Sequence, residues 1–252
     1  NDAFSCSHRK QASVHNITKY VKKNYAGPLL KKEITAINLV VKNKKEPVTC
    51  IIGGSKISTK INVITSIMKK VNNLIIVGAM ANNFFVYKNL NIGKSLFEKD
   101  TKDIIKNIYK KAKESGCKIF IPEDCVVGIN FEGEGINKNF NDINNDEIIL
   151  DIGKNTVKNI IKIIDQSNTI LWNGPAGYFE NDNFLKGTLS IAENISKNTI
   201  EKSLISVIGG GDTLAAINKN KSKLSFSHLS TAGGAFLEYL EGKDLPGISV
   251  LK

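Results

Sequence analysis

The sequence predicts an α/β protein, a Rossmann-like parallel β-sheet with helices on both faces in a three-layer α/β/α arrangement. Short apolar runs at 48–52, 74–77, 118–121, 148–150, 169–172 and 204–208 each read as a strand buried on both faces. Helical periodicity fills most of the intervals between them, at about 58–71, 80–89, 100–115, 154–166 and 184–197. Four of the runs also end in glycine-containing turns, where an open α/β sheet binds its ligands.

Taken in order, residues 1–25 are polar and irregular, with His8, Arg9, Lys10 and His15 close together as either an anion site or an exposed face. Gly27-Pro28 then punctuates the chain. Pro28 suits a first helical position, and Leu29, Leu30, Ile34, Ile37 and Val41 recur at helical spacing, so 28–42 is an amphipathic helix able to join two domains. The strand and helix alternation starts at Val48. It breaks at 126–147, an Asn-, Gly- and Asp-rich stretch that reads as a loop or small hairpin region rather than a sheet strand. A helix follows the glycines at 209–211, and a last one occupies about 233–241.

With 252 residues the chain can form one large domain or two small ones. Its net charge of +11 raises nucleic acid or an anionic substrate as partners. Arg9 is the sole arginine, however, and the lysines are scattered, so the arginine forks that read guanine or phosphate are missing and no nucleic acid is expected. Cys6, Cys50, Cys117 and Cys125 have no CxxC spacing and read as buried, reduced thiols of a cytoplasmic protein. No apolar run approaches the roughly 20 residues of a membrane span, and no signal peptide is recognised. The opening Asn1-Asp2-Ala3-Phe4, without a starting Met, leads us to expect a fragment or an excised domain.

The strongest single motif is Ser206-Val207-Ile208-Gly209-Gly210-Gly211-Asp212-Thr213, a strand, a tight turn and a helix start. Glycines let backbone approach a ligand, and the first amides of a helix are free to hold an anion. Asp212 beside a bound phosphate requires a cation between them, most simply Mg²⁺, so the motif reads as a metal–nucleotide site. The other rim turns are Gly53-Gly54-Ser55-Lys56 with Lys60, Gly78-Ala79-Met80, and Asn173-Gly174-Pro175-Ala176-Gly177. Alone, each is an ordinary tight connection. Together they set two cations, an amide and a carboxylate on one rim. None matches the P-loop, and the GxGxxG fingerprint lacks its third glycine and its acidic partner. Lys56 and Lys60 are four apart, so a helix beginning at Lys56 would turn both ammonium groups to one side, where the helix dipole repels cations and a bound polyphosphate would relieve the conflict. Ser230-Thr231-Ala232-Gly233-Gly234 is a second phosphate-type turn or simply a helix cap. His228 reads as a structural hydrogen-bonding residue and Trp172 as core.

Five stretches together resemble the phosphoglycerate kinase family, in the family's order. They are Gly53-Gly54-Ser55-Lys56-Ile57-Ser58-Thr59-Lys60, Ile92-Gly93-Lys94-Ser95-Leu96-Phe97, Trp172-Asn173-Gly174-Pro175-Ala176-Gly177-Tyr178-Phe179-Glu180, Gly209-Gly210-Gly211-Asp212-Thr213 and Ser227-His228-Leu229-Ser230-Thr231-Ala232-Gly233-Gly234. Leu245-Pro246-Gly247 resembles the family's tail, and residues 1–9 resemble a segment late in its N-terminal domain. The resemblance runs the whole chain but covers roughly the last three-fifths of a complete member.

The resemblance implies the C-terminal lobe of a bilobal kinase, with 1–27 the end of the N-terminal phosphoglycerate-binding domain, 28–42 an interdomain helix and 43–252 the nucleotide-binding domain. It implies reversible phosphoryl transfer between 1,3-bisphosphoglycerate and Mg-ADP, giving 3-phosphoglycerate and Mg-ATP, by a cytoplasmic monomer with no membrane partner. Lys56 and Lys60 would contact the nucleotide and transferring phosphates, Asp212 would hold Mg²⁺, and Asn173, Thr213, Gly209, Gly210 and Gly211 would lie by the phosphates. Glu180 would bind the ribose, and Gly78, Leu96, Leu150 and Pro175 would form the adenine slot. Gly233 and Gly234 would open the helix facing the transferred phosphoryl group, and Arg9 would bind phosphoglycerate. The chain departs from the family pattern at Val77 and Ala79, at Ala232 in place of a glycine, and at Lys10-Gln11 after the arginine. Two alternatives stand beside this reading: a Mg-nucleotide-binding domain that does not catalyse, and a lysine-rich nucleic-acid-binding protein.

Overall fold

The computed structural model describes residues 1–251. After two short 3-10 turns, the chain forms α1 (Pro28–Val41), β1 (Val48–Ile52), a 3-10 turn (Ser58–Lys60), α2 (Ile61–Ile67), β2 (Asn73–Ile76), α3 (Ala81–Tyr87), α4 (Lys102–Ser115) and β3 (Lys118–Phe120). It continues through β4 (Asp124–Gly128), β5 (Ile136–Asn139), β6 (Ile148–Ile152), α5 (Lys154–Asp165), β7 (Thr169–Asn173) and α6 (Lys186–Glu201). The last elements are β8 (Ile205–Gly209), α7 (Gly211–Asn218), β9 (His228–Ser230), α8 (Gly234–Glu241) and α9 (Pro246–Ser249). Pro28 stands at the start of α1, as its fixed φ favours.

Six strands form a parallel sheet in the order β3-β2-β1-β7-β8-β9. Successive residues of each strand serve opposite cores, as the two-residue period of a strand demands. Val48, Cys50 and Ile52 of β1 and Leu171 of β7 join one core, with Leu30 and Ile37 of α1, Ile64 of α2, Phe84 of α3, Ile105 of α4 and Phe236 of α8. Ile51, Ile75, Ile170, Trp172 and Ile208 join the other, with Ile160 of α5, Ile191 and Ile195 of α6 and Ile217 of α7. The three predicted layers are therefore present, and Trp172 is fully buried core.

Two strand assignments differ from the sequence reading. The run at 148–150 is not in the parallel sheet. It belongs to β6, which pairs antiparallel with β4 in a separate three-stranded sheet of order β5-β4-β6. Residues 126–147 take the hairpin form expected of them as one alternative, since they supply most of the β4–β5 hairpin. The sixth parallel strand is instead β9, whose His-Leu-Ser sequence carries no apolar run; its central Leu229 is 44% exposed. An edge strand this short needs little burial, so periodicity does not reveal it. Cys50, Cys117 and Cys125 are buried as expected, whereas Cys6 is half-buried, and all four are unpaired. Among the described residues, no helix is long and apolar enough to cross a membrane.

The small sheet is locked to the large domain by Asp124. Its buried carboxylate accepts hydrogen bonds from Thr156 N (2.8 Å), Thr156 Oγ1 (2.7 Å), Asn155 N (3.0 Å) and Asn137 Nδ2 (3.1 Å), capping α5 from β4. Burial pushes this carboxyl up, but the Thr156, Asn155 and Asn137 donors outweigh burial and hold it below its ordinary 3.8. A depressed folded value contributes stability that is present above 3.8 and lost as pH falls through the folded value. We expect Asp124→Asn to lower stability by about 2 kcal/mol at neutral pH. Urea titrations should show that gap closing below pH 3.8.

Candidate functional site

The chain runs from β1 outward through β2 to β3, returns, and then runs from β7 outward through β8 to β9. The switch in direction therefore falls between β1 and β7, where an open sheet leaves a crevice beyond its strand ends. The turns leaving those two strands touch backbone to backbone. A Cβ on Gly53 would lie 2.3 Å from the Pro175 carbonyl oxygen, and one on Gly174, whose φ is +99°, would lie 2.4 Å from the Gly53 carbonyl oxygen. Only glycine permits that approach.

Polar side chains knit the rim together. Lys60 Nζ donates to the Gly53 carbonyl (2.6 Å) and to Asn173 Oδ1 (2.7 Å). Asn173 Nδ2 in turn donates to the Gly209 carbonyl of β8 (2.8 Å). Thr213 Oγ1 donates to that same carbonyl (3.0 Å) and accepts from Gly174 N (2.7 Å). Burial pushes the Lys60 ammonium down to about 8, against the opposing pull of the Asp212 charge. Asp212 itself is exposed in the first turn of α7, where the amides of Gly211, Asp212 and Thr213 have no carbonyl within the helix to bond. Gly210 reaches that turn with φ of +101°.

A cavity of about 580 Å³ opens beside this rim, lined by Gly78, Leu96, Leu150, Pro175, Glu180 and Asp212. Five of these are the residues expected around a base and a ribose, and the sixth is the expected metal ligand. Its far wall is β6 of the small sheet, so the strand misplaced by the sequence reading is what closes the slot. Among the described residues, no group of three or more His, Cys, Asp or Glu side chains is arranged to hold a metal by itself.

Some expected residues lie elsewhere. Lys56 is exposed and precedes the 3-10 turn, which begins only at Ser58, so no helix starting at Lys56 turns it and Lys60 to one side. Its charge instead acts on Glu98, whose carboxylate accepts from Ser58 N (3.0 Å) and Ser58 Oγ (2.5 Å). This carboxylate, rather than a ligand, relieves the cation-against-dipole conflict inferred from sequence. The Thr213 hydroxyl is buried below the rim and engaged there with the Gly174 amide and the Gly209 carbonyl. Arg9, Gly233 and Gly234 form a second group. Arg9 Nε donates to His8 Nε2 (3.3 Å), and that ring lies against Gly234 at the start of α8. His228 Nε2 bonds Glu33 Oε2 of α1 (2.9 Å), a structural role as expected.

Sequence reasoning missed three lining residues. Phe131 and Tyr178 meet edge to face at 5.0 Å on the cavity wall. The Asp151 carboxylate, 2% exposed, accepts from Gly187 N (2.7 Å) and Ile152 N (2.8 Å), yet burial pushes it up to about 7. An aromatic in a loop and an aspartate in an apolar strand carry no sequence signal, although a lone acidic residue between Leu150 and Ile152 is itself anomalous.

The sequence model of the phosphoglycerate kinase family matches residues 1–243. The phosphoglycerate kinase of Francisella philomiragia is 46% identical over 253 residues, and that of Wolbachia pipientis is 43% identical over 254. In both comparisons the whole of this chain is covered, and it spans 64% of the relative's length. Among solved structures, phosphoglycerate kinase from Coxiella burnetii superposes with a TM-score of 0.92 at 40% identity, covering all of this chain and 65% of that one. The enzyme from Pyrococcus horikoshii gives 0.84 at 28% identity, covering all of this chain and 62% of that one.

The buried ammonium sets a pH dependence. Between about 8 and 10.5 the unfolded chain binds the Lys60 proton while the folded chain has lost it, so folding stability rises with pH there. Relative to Lys60→Met, wild-type stability should climb by about 3 kcal/mol across that window, measured as urea midpoints at successive pH values.

Proposed function

The chain belongs to the phosphoglycerate kinase family, and from that premise we propose that it is the nucleotide-binding portion of such a kinase. In this reading it holds Mg-ADP or Mg-ATP at the sheet rim. Within the longer protein it takes part in reversible phosphoryl transfer between 1,3-bisphosphoglycerate and ADP. The observation that carries the reading is the cavity at the β1–β7 switch point, lined by Asp212 and lying beside the rim where Lys60 is fixed between the Gly53 carbonyl and Asn173.

Leu96, Leu150 and Pro175 supply apolar walls for a base, and Gly78 leaves room for its plane. Glu180 stands at the exposed end, where ribose hydroxyls would donate to it. The free amides opening α7 and the Lys60 ammonium would orient the phosphates, which needs no covalent intermediate and no general base. Asp212 fits Mg²⁺ of the kind that arrives on a nucleotide, because such an ion takes one or two carboxylates and completes its shell with phosphate oxygens and water. Bound there, the ion would offset the negative charge of the phosphates.

Residues 1–27 are proposed as the end of the phosphoglycerate-binding lobe, 28–42 as the helix between lobes and 43–252 as the nucleotide-binding domain. Arg9, bonded to the His8 ring that lies against Gly234, then presents a cation for phosphoglycerate near the start of α8, and Lys56 reaches the transferred group from the outer rim. Four unpaired thiols suit a cytosolic protein, which we take to be monomeric. A second reading is favoured by coverage: spanning 64% of its relatives, this chain binds Mg-nucleotide without turning it over.

Calorimetry tests the site. Asp212→Ala is expected to weaken Mg-ADP binding by about thirtyfold while changing stability by about 0.5 kcal/mol or less, because an exposed carboxylate carries little packing. Equal losses of binding and stability would count against the assignment.

A further inference from the structure

Glu98, which offsets the cations at the Ser58 turn, also ties that turn to the loop carrying Leu96. Its backbone is fixed from one side. Asn82 and Asn83, each 1% exposed, sit on α3 directly after the Gly78 turn. Asn82 Nδ2 donates to the Leu96 carbonyl (2.8 Å), and Asn83 Oδ1 accepts from Glu98 N (2.8 Å) and Thr101 Oγ1 (3.2 Å). The loop carrying Leu96 over the cavity is thereby anchored to α3. The Glu98 side chain then crosses to the other side, accepting from both the amide and the hydroxyl of Ser58.

Among the described residues, the hydrogen bonds by which residues 55–59 are tied to another element all run to the Glu98 carboxylate; Thr59 Oγ1 to the Lys56 carbonyl is local. Ile57 is buried beneath the turn, but Lys56, Ser58 and Thr59 are exposed. Apolar burial fixes where the turn sits, and directional bonds fix how its amides and Lys56 are aimed. Burial pushes the Glu98 carboxyl up, but the Ser58 hydroxyl and amide, the Ile57 amide and the Lys56 charge hold it below its ordinary value, so the acceptor is an anion at neutral pH.

We propose that Glu98 is a positioning residue: it orients the turn that carries Lys56 toward the phosphates and couples that turn to the Leu96 loop over the base. The proposal rests on the nucleotide reading of the cavity. It names a residue that touches neither base nor phosphate and acts through Ser58 and Lys56.

Calorimetry of the chain with Mg-ADP and with adenosine, which lacks phosphates, separates positioning from general structure. Glu98→Ala should weaken Mg-ADP about tenfold, the scale of one lost charge-assisted bond, and leave adenosine within about twofold. Glu98→Gln, which keeps an acceptor for the Ser58 amide, should recover part of the loss, and it serves for the same comparison if the alanine variant fails to fold. Lys56→Ala should cost less in the Glu98→Ala background than alone, because the lysine is already misaimed. Amide exchange at Ser58 should quicken in ligand-free Glu98→Ala. Equal weakening of Mg-ADP and adenosine, additive losses with Lys56→Ala, or unchanged exchange would each overturn the proposal. A wild-type chain that binds no Mg-ADP would overturn the nucleotide reading and this proposal with it. A wild-type chain that binds Mg-ADP while Glu98→Ala binds it equally well would overturn this proposal alone.

Discussion

The ammonium of Lys60, held between the Gly53 carbonyl and Asn173 Oδ1, fixes the place where the two halves of the sheet meet. It stands where two chain reversals bring strand ends together, and it carries a charge that burial disfavours. Two acceptors and a nearby aspartate offset that cost only in part, so the group stays poised to prefer a stronger anionic partner. Asn173 extends the tie to β8, and Thr213 returns it from α7 to the Gly174 turn. Three separate connections, after β1, β7 and β8, thus become one surface, and it is this surface that a ligand would meet.

The sheet beneath supplies rigidity through the alternation of β1, β2, β7 and β8 residues between two cores. Close packing on both faces leaves the strand ends little freedom, which suits backbone amides that must be in place before a ligand arrives. The second, three-stranded sheet has a different task. Its Asp124 cap welds it to α5, and β6 then stands as the far wall of the cavity. A slot with one wall from each sheet owes its width to that weld.

Charge placement follows a consistent logic. A lysine near a helix start is disfavoured by the dipole. At the α2 end the chain's own Glu98 carboxylate supplies the compensation, while at the α7 end the amides remain uncommitted beside Asp212. One helix start is thereby braced and the other left open. A site for a polyphosphate and its cation needs both a fixed frame and unsatisfied donors.

The sequence by itself determined the three-layer class, most strand and helix positions, and the glycine turns with Lys60, Asn173, Glu180 and Asp212. Those features are local: periodicity, turn chemistry and the order of motifs are properties of neighbouring residues. The tertiary structure decided the rest. It moved 148–150 from the parallel sheet to the wall of the cavity and made His228–Ser230 a strand, because an apolar run specifies burial but not its pairing partner. It left Lys56 outside the turn that begins at Ser58, sank the Thr213 hydroxyl below the rim, brought Phe131 and Asp151 to the cavity wall, and set Glu98 against Ser58. These last depend on contacts between residues far apart in the chain, 40 for Ser58 and Glu98 and 36 for Asp151 and Gly187, and no spacing within a segment encodes such a contact. The glycine turns announced that a ligand could approach; only the packing of two sheets and the bonds across them decided which side chains would be waiting there.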